Sequence, residues 1–292
     1  SGDQSRTLPW SRFRRIVTMA LVGLRILFVG ELVGKAGVYC LKQILPQLKK
    51  SREIDFVVAN GDGATNGFGL GKNHSVYIRK LGVDVLTGGD QIFYKKDMVA
   101  SFNTTPTVLR PANLPPGSPG RGWRHFAVGK TRIGVINLIG QSGFLRMHGS
   151  NPFTFLPDIV ARLKEDVSTI ILDFHAATTA EKYAMFRVAD GLVTAAIGTG
   201  QRVITADAGV SEEGTATLCD AGRSGSIQSV GGLEPEVEIR QFLRQVPERS
   251  TETFAGLELQ GAIVDADDDG RATAIESIRI PCAPPEDQEE SA

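Results

Sequence analysis

Residues 25–31 read RILFVGE, and this stretch decides the fold because an apolar run ends on a glycine and a carboxylate. The same pattern returns at residues 55–63, DFVVANGDG, and at residues 83–91, VDVLTGGDQ, while at residues 168–176, STIILDFHA, the apolar run ends on an aspartate and a histidine without a glycine. A fifth run, VTAAIGTGQR, covers residues 193–202. Short apolar runs bounded by turn residues predict buried strands, each followed here by a polar loop.

Segments with helical spacing of apolar residues separate these strands. The predicted helices cover residues 36–48, 72–81, 95–102, 157–164 and 179–189. Alternation of strand and helix predicts an α/β protein with parallel strands. In such folds, ligands bind beyond the carboxyl ends of the strands, which is where the polar loops lie.

The second half of the chain also contains segments typical of antiparallel pairing. Residues 124–128 and 132–138 are typical of a hairpin, and residues 215–218, 257–264 and 274–280 of further strands. The sequence therefore predicts two sheets rather than one.

Composition indicates a soluble globular protein, and the length of 292 residues allows one large domain or two small ones, of which we expect one large domain. We expect that domain at residues 25–281, between a basic flexible extension at residues 1–24 and an acidic disordered tail at residues 282–292. The net charge of −1 gives no general reason to bind nucleic acid or an anionic membrane. No apolar run is long enough to span a membrane, so the cytoplasm is the expected location. The three widely spaced cysteines argue against a disulfide framework.

Several motifs occur together in an order that is specific. They are RILFVG at 25–30, NG at 60–61, GFGL at 67–70, LRPAN at 109–113, VINL at 135–138, DFHA at 173–176 and TAD at 205–207. On these motifs the chain resembles the YmdB-like branch of the calcineurin-like metallophosphoesterases, from about residue 25 to about residue 280. The resemblance implies a metallophosphoesterase-type sandwich of two mixed β-sheets flanked by helices, and a homo-oligomer.

The resemblance also implies chemistry. That family hydrolyses phosphodiesters, notably cyclic nucleotides, with two metal ions such as Mn or Fe. Two metals close together clamp the phosphate, generate a hydroxide and stabilise the leaving oxygen.

Most metal ligands of that family are replaced in this chain. The Asp of the first loop is Glu31, the Glu-Asn pair is Asp62-Gly63, and the Asn-His pair is Asp90-Gln91. The Asp-Phe-His loop keeps His175. The last loop, Gly-Thr-His-Thr-His in the family, is GTGQR at residues 198–202, so both of its imidazoles are absent.

The side chains that remain predict at most one metal. Glu31, Asp62, Asp90 and His175 offer carboxylates and an imidazole, which suit a single Mn, Fe or Mg ion. The alternative is that no metal binds. In that case the carboxylates cap the helices that follow them, and Arg202 forms an ion pair with one of them in place of a metal cation.

The other candidate site residues either replace a histidine of the family or allow two interpretations. Gln91 and Arg202 stand at positions of lost histidines, where an amide has no useful pKa near 7 and a guanidinium is permanently charged. Arg110 and Asn113 match the family loop near the active site, and they either bind phosphate or stabilise the Pro-rich turn. Arg223 could meet an anion, but we expect it to face solvent.

Three functions fit these residues. The first is a catalytically impaired family member, retained for binding or assembly. The second is a single-metal phosphodiesterase acting on cyclic nucleotides or related phosphodiesters, with Arg202 stabilising the phosphate. The third is a nucleotide-binding module without chemistry. A nucleotide or phosphodiester is the expected ligand of the second and third, the first leaves the binding partner open, and neither nucleic acid nor a membrane is expected.

Overall fold

The computed structural model of the chain describes residues 23–144 and 147–285. Up to residue 109, strands and helices alternate. The elements are β1 (Leu24–Val29), β2 (Glu31–Leu32), α1 (Gly34–Ser51), β3 (Phe56–Asn60), α2 (Lys72–Lys80), β4 (Val85–Thr87), α3 (Lys96–Ser101), a 3₁₀ turn (Phe102–Thr104) and β5 (Val108–Leu109).

The rest of the chain forms a second α/β unit and then returns to the first sheet. Its elements are β6 (Trp123–Val128), β7 (Thr131–Ile139), α4 (Pro152–Leu163), β8 (Thr169–His175), α5 (Thr179–Ala189), β9 (Ala195–Thr199), β10 (Gly209–Val210), β11 (Ala216–Leu218), β12 (Arg223–Ser226), α6 (Pro235–Arg244), β13 (Leu257–Ala266) and β14 (Ala272–Cys282).

The strands form two sheets, both mixed. The first has the order β2-β12-β13-β1-β3-β4-β5, with β14 paired to β13. In it β1, β3, β4 and β5 run parallel, and β13 runs antiparallel to β1. The second has the order β10-β11-β9-β8-β7-β6, with β7, β8, β9 and β11 parallel. The predicted fold, a sandwich of two mixed sheets flanked by helices, is confirmed.

Strand β1 is buried on both faces, and its successive side chains point to opposite faces, so both sets of side chains are apolar. In β1, Ile26 and Phe28 join an apolar cluster that also holds Ile171 and Ile197 of the second sheet. Leu27 and Val29 join the cluster formed with α1 instead. A strand covered on both faces has no solvent side, so its sequence lacks the polar alternation of a surface strand.

The carboxyl ends of β3, β4, β8 and β9 meet at one edge of the sandwich. There, Asn60 at the end of β3 donates from Nδ2 to Oδ2 of Asp173 in β8, at 2.9 Å. Thr87 at the end of β4 also donates to that oxygen, and Thr199 of β9 donates to Oδ1 of Asp173 at 2.7 Å. One buried carboxylate thus joins both sheets directly beneath the predicted site.

Some predicted bounds were wrong. Helix α4 begins at Pro152 rather than at residue 157, because Asn151 caps it by accepting the N–H of Phe153 at 3.0 Å and Pro152 suits a first helical position. Strand β9 begins at Ala195, two residues later than predicted. Helix α6 was not predicted.

The ends of the chain lie largely outside the described residues. Most of the predicted extension at 1–24 and most of the predicted tail at 282–292 therefore stay predictions, although Leu24 lies in β1 and Cys282 in β14. In the described part, no helix combines the length and apolarity needed to cross a membrane. The cytoplasmic location also stays a prediction.

Candidate metal centre

Three of the four predicted metal ligands converge. Asp62 follows β3, Asp90 follows β4 and His175 ends β8. Their ligand atoms all lie within 4.8 Å of one another. Nε2 of His175 is 3.1 Å from Oδ1 of Asp90 and 4.0 Å from Oδ2 of Asp62. Two carboxylates and an imidazole at this spacing can hold one divalent cation.

Backbone donors fix the position of Asp62. Its Oδ1 accepts the N–H of Gly89 at 2.6 Å, and its Oδ2 accepts the N–H of Gln91 at 3.0 Å. The N–H of Asp62 itself donates to Oδ1 of Asn60 at 3.0 Å. The carboxylate therefore ties the loop after β3 to the loop after β4. It does not cap α2, whose N-cap is Gly71, so the capping alternative was wrong for this residue.

A hydrogen bond and a stacked aromatic ring fix the orientation of the His175 imidazole. Its Nδ1 lies 3.1 Å from Oγ1 of Thr199, whose hydroxyl donates to the buried carboxylate of Asp173. The ring of Phe144 stacks on the imidazole with centroids 5.4 Å apart and 21° between the planes. With Nδ1 engaged, Nε2 faces Asp90 and Asp62, which is the orientation a metal ligand requires.

The buried charges alter the proton affinities of the centre. Burial lowers the pKa of His175, but the hydrogen bond to Asp90 and the charges of Asp62, Asp90 and Glu31 outweigh it and raise that pKa to about 9. Burial raises the pKa of Asp62 to about 7, against the opposing effect of His175. For Asp90 burial acts upward, but its bond to His175 prevails and lowers its pKa. Without a metal, these neighbouring carboxylates favour the protonated form of His175.

Glu31, the fourth predicted ligand, pairs with Arg202 instead of joining the cluster. Oε1 of Glu31 accepts from Nε of Arg202 at 2.9 Å and from Nη2 at 2.6 Å. Arg202 also donates to the carbonyl oxygens of Gly231 and Gly67, each at 3.1 Å. The predicted ion pair between Arg202 and a site carboxylate is confirmed. The carboxylate of Glu31 is thus neutralised by a side chain of the protein.

At two positions where the chain departs from the family pattern, a glycine leaves room for neighbouring side chains of the site. A Cβ on Gly63 would lie 2.8 Å from Oε1 of Glu31 and 2.9 Å from Nη2 of Arg202, so a larger residue would collide with the pair. Gly200 has a φ of +104°, which strains any side chain, and its Cβ would lie 3.3 Å from Nε2 of His175. In this backbone, position 200 does not accept an imidazole without rearrangement.

The amides at positions 91 and 201 do not replace the missing imidazoles. Gln91 lies next to the cluster, and its Oε1 is buried with no donor in the described part of the chain. Gln201 is exposed, and its Nε2 donates to the carbonyl of Ala177 at 2.7 Å. Neither side chain supplies a group that titrates near neutral pH.

The structure places Arg110 and Asn113 in the architecture of the Pro-rich turn. The guanidinium of Arg110 donates to four carbonyl oxygens, those of Pro111, Ala112, Ser118 and Pro119. Nδ2 of Asn113 donates to the carbonyls of Ile139 and Ser150, both at 2.8 Å. These contacts favour the turn-stabilising alternative, and phosphate binding by either residue stays a prediction.

Arg223 is not exposed, contrary to our expectation. Its Nη1 donates to the carbonyl of Arg202 at 2.6 Å and its Nε to the carbonyl of Ser226 at 2.7 Å. It therefore fixes the backbone that carries Arg202. Neither the position of Arg223 next to glycines nor its sequence spacing indicated this role.

A buried ion pair supports the last loop from behind. Nζ of Lys182 in α5 donates to Oδ2 of Asp220 at 2.7 Å, and both side chains are buried. The same oxygen accepts the N–H of Gln201 at 2.9 Å, and Oδ1 accepts the N–H of Gly222. Sequence reasoning missed this pair. The helical spacing of α5 does place Lys182 on the same face as the buried residues Met185, Phe186 and Ala189, which was a signal that Lys182 is buried.

Comparison with known proteins supports the resemblance. A profile of the family described as YmdB-like protein matches residues 27–278. A Bacillus subtilis protein named 2',3'-cyclic-nucleotide 2'-phosphodiesterase is 33% identical over 88% of this chain and 97% of its own length. A crystal structure described as a novel phosphatase of Mycoplasma pneumoniae superposes with a TM-score of 0.84 at 32% identity, over 90% of this chain and 95% of that one. A hypothetical protein from Thermus thermophilus gives 0.82 at 27% identity, over 89% of this chain and all of that one.

Proposed function

Since the chain belongs to the YmdB-like family, we propose that it is a catalytically impaired member, retained for binding or assembly, with negligible phosphodiesterase turnover. The observation that carries this proposal is the ion pair between Arg202 and Glu31. A guanidinium in that place contributes positive charge, but it does not lower the pKa of a bound water as a metal does.

The remaining chemistry of the centre also argues against turnover. Gln91 offers no proton acceptor near neutral pH. Nε2 of His175 lies 3.1 Å from Oδ1 of Asp90, a contact that contributes to the raised pKa of the imidazole, and Arg202 directs Nε and Nη2 to Glu31. A metal held by Asp62, Asp90 and His175 would supply a Lewis acid and an activated water. In this proposal the guanidinium of Arg202 takes the place of the second cation of the family, and it does not coordinate water as a metal does.

A single-metal phosphodiesterase is the second candidate, and one observation favours it. Asp62, Asp90 and His175 already have their ligand atoms within 4.8 Å of one another, so they could accept an ion with little movement. The expected ligand is one of Mn, Fe or Mg. In this alternative Arg202 stabilises the phosphate, and loss of Asp62 abolishes turnover.

The first experiment is elemental analysis of the purified chain after expression with Mn and Fe and exhaustive dialysis. It is combined with turnover of 2',3'-cyclic AMP and bis-p-nitrophenyl phosphate, using an active family phosphodiesterase as positive control. The proposal expects less than about one metal per chain and turnover near background. One metal per chain with turnover that Asp62→Ala removes would establish the second candidate. Two metals per chain with turnover like that of the positive control would overturn both.

For assembly, we propose that α6 mediates self-association. No residue of α6 is buried, and Phe242 and Leu243 are 75% and 78% exposed. Glu236 and Glu238 lie in its first half, while Arg240 and Arg244 lie in its second half. Arg240 already pairs with Glu248 of its own chain at 2.6 Å, so in two copies packed antiparallel Arg244 is the cation that would meet the acidic first turn of the other helix. The expected partner is therefore a second copy of this chain.

A further inference from the structure

A separate cavity of about 450 Å³ is lined by none of the residues of the metal centre. Asn66 and Phe68, from the loop that follows Asp62, form one part of its wall. The rest is formed by Lys35 at the start of α1, Lys95 before α3, residues 249–252 and Phe254. The volume is within the range of roughly 300 to 1,000 Å³ that small-molecule sites occupy.

Three cations line this cavity, namely Lys35, Lys95 and Arg249. In residues 23–144 and 147–285, none of the three side chains forms an ion pair. Glu252 is the one carboxylate in the wall, and its Oε1 accepts the N–H of Lys35 at the start of α1. The cavity therefore has an excess of positive charge and attracts an anion.

Ser250 provides an independent indication of a ligand. The residue is only 3% exposed, and its Oγ is buried without a hydrogen-bond partner in the described part of the chain. It lines the cavity next to Arg249. Buried hydroxyls are nearly always paired, and this one is withdrawn from the cavity surface, so a rotation of the Ser250 side chain would bring it to a ligand oxygen that completes the bond.

Two aromatic side chains give the cavity a surface for a flat ring. Phe68 and Phe254 both line it, and both are half-buried, so part of each side chain remains accessible. Bases stack on such rings with little dependence on base identity. Asn66 in the same wall adds an amide that can both donate and accept hydrogen bonds.

We propose that this cavity binds a nucleoside monophosphate. The phosphate contacts Lys35, Arg249 and the hydroxyl of Ser250, and the base packs against Phe68 and Phe254. None of the residues that line the cavity belongs to the metal centre, so binding at the two places can be separated by mutation. The proposal is independent of whether that centre hydrolyses anything.

The test is isothermal titration of the full chain with AMP, GMP, CMP and UMP, in EDTA so that no metal-dependent site contributes. We expect saturable binding at one site per chain, with adenosine alone and inorganic phosphate alone each at least tenfold weaker than AMP. The double variant Lys35→Glu with Arg249→Glu should weaken AMP binding at least tenfold. Lys130→Glu is the control, because it reverses the charge of an exposed lysine in the turn between β6 and β7 that does not line the cavity. This variant should bind AMP as the unaltered chain does.

A second variant separates ligand binding from a structural role. Ser250→Ala removes the unpaired hydroxyl, so we expect an equal or higher melting temperature without ligand and weaker AMP binding. A destabilised variant with unchanged affinity would contradict the assigned role.

Three other outcomes would overturn the proposal. The first is no heat with any of the four nucleotides at millimolar concentration. The second is inorganic phosphate binding as tightly as AMP. The third is AMP binding that survives charge reversal at Lys35 and Arg249 and is lost in Asp62→Asn, which would place the ligand at the metal centre.

Discussion

Nη2 of Arg202 lies 2.6 Å from Oε1 of Glu31, and both side chains are withdrawn from solvent. A permanent cation thus meets one of the predicted metal-ligating carboxylates, and Gly63 leaves the space for their contact. The arrangement neutralises a buried carboxylate without a metal. Its energetic value depends on both partners, because a buried charge without its partner is far less stable than the pair.

Removing one charge of this pair should therefore destabilise the chain more than removing both. We expect Glu31→Gln to lower the free energy of unfolding by about 3 kcal/mol, because Arg202 keeps a buried charge. Adding Arg202→Met to that variant should recover most of the loss. Urea denaturation of the two single variants and the double variant measures the coupling. Additive losses would show that the pair contributes nothing to stability.

The stability of the metal-free chain should fall at alkaline pH. The pKa of His175 is raised from 6.5 to about 9, so its proton stabilises the folded state below pH 6.5. That contribution is lost as pH rises from 6.5 through 9, by up to about 3 kcal/mol. Urea denaturation in EDTA at pH values of about 6.5 and about 9.5, on either side of this window, measures it. His175→Gln is the control, and an equal decline in that variant would assign the effect to other groups.

The pair of Lys182 and Asp220 should be required for folding stability and for the position of the last loop. Lys182→Met leaves Asp220 buried without its cation, and we expect a loss of about 3 to 5 kcal/mol. Lys182→Met combined with Asp220→Asn should lose less. Thermal and urea denaturation measure both variants. A single variant as stable as the unaltered chain would mean that water reaches Asp220.

Gly200 should resist substitution for a backbone reason. At a φ of +104°, Gly200→Ala is expected to lower the free energy of unfolding by about 1 to 3 kcal/mol. Gly200→His should be destabilised similarly and should not raise the metal content, because Arg202 still pairs with Glu31. Elemental analysis beside urea denaturation tests both statements. A gain of one metal in Gly200→His would show that the loop adapts.

Self-association through α6 should be sensitive to charge at its exposed apolar residues. We expect Phe242→Glu with Leu243→Glu to convert an oligomer to a monomer by light scattering after gel filtration. The variant should retain its urea midpoint, because neither side chain packs in the core. Tyr94→Glu, another exposed large side chain, is a control that should leave the mass unchanged. An unaltered chain that is monomeric at high concentration would remove the basis of the proposal.

Local sequence predicted most of the fold because the core strands carry their own signals. The run at 25–31 forms β1 and β2, and the buried strand at 168–174 forms most of β8. Helix α6 was not predicted, although Ile239, Phe242 and Leu243 recur at helical spacing, and the structure leaves all three exposed. Short strands such as β12 depend on pairing with distant segments, so their residues do not show a period of their own.

By itself, the sequence determined the order of the core elements, the family resemblance and the identity of the charged groups in the strand-end loops. These follow from the local spacing of apolar residues and from the order of the motifs, and both are properties of the sequence that do not depend on tertiary contacts. Only the tertiary structure decided which charges meet. Arg202 and Glu31 are 171 positions apart, and Asp90 and His175 are 85 apart. Their pairing arises because two sheets bring the carboxyl ends of their strands to one edge, and burial there makes each charge depend on a partner.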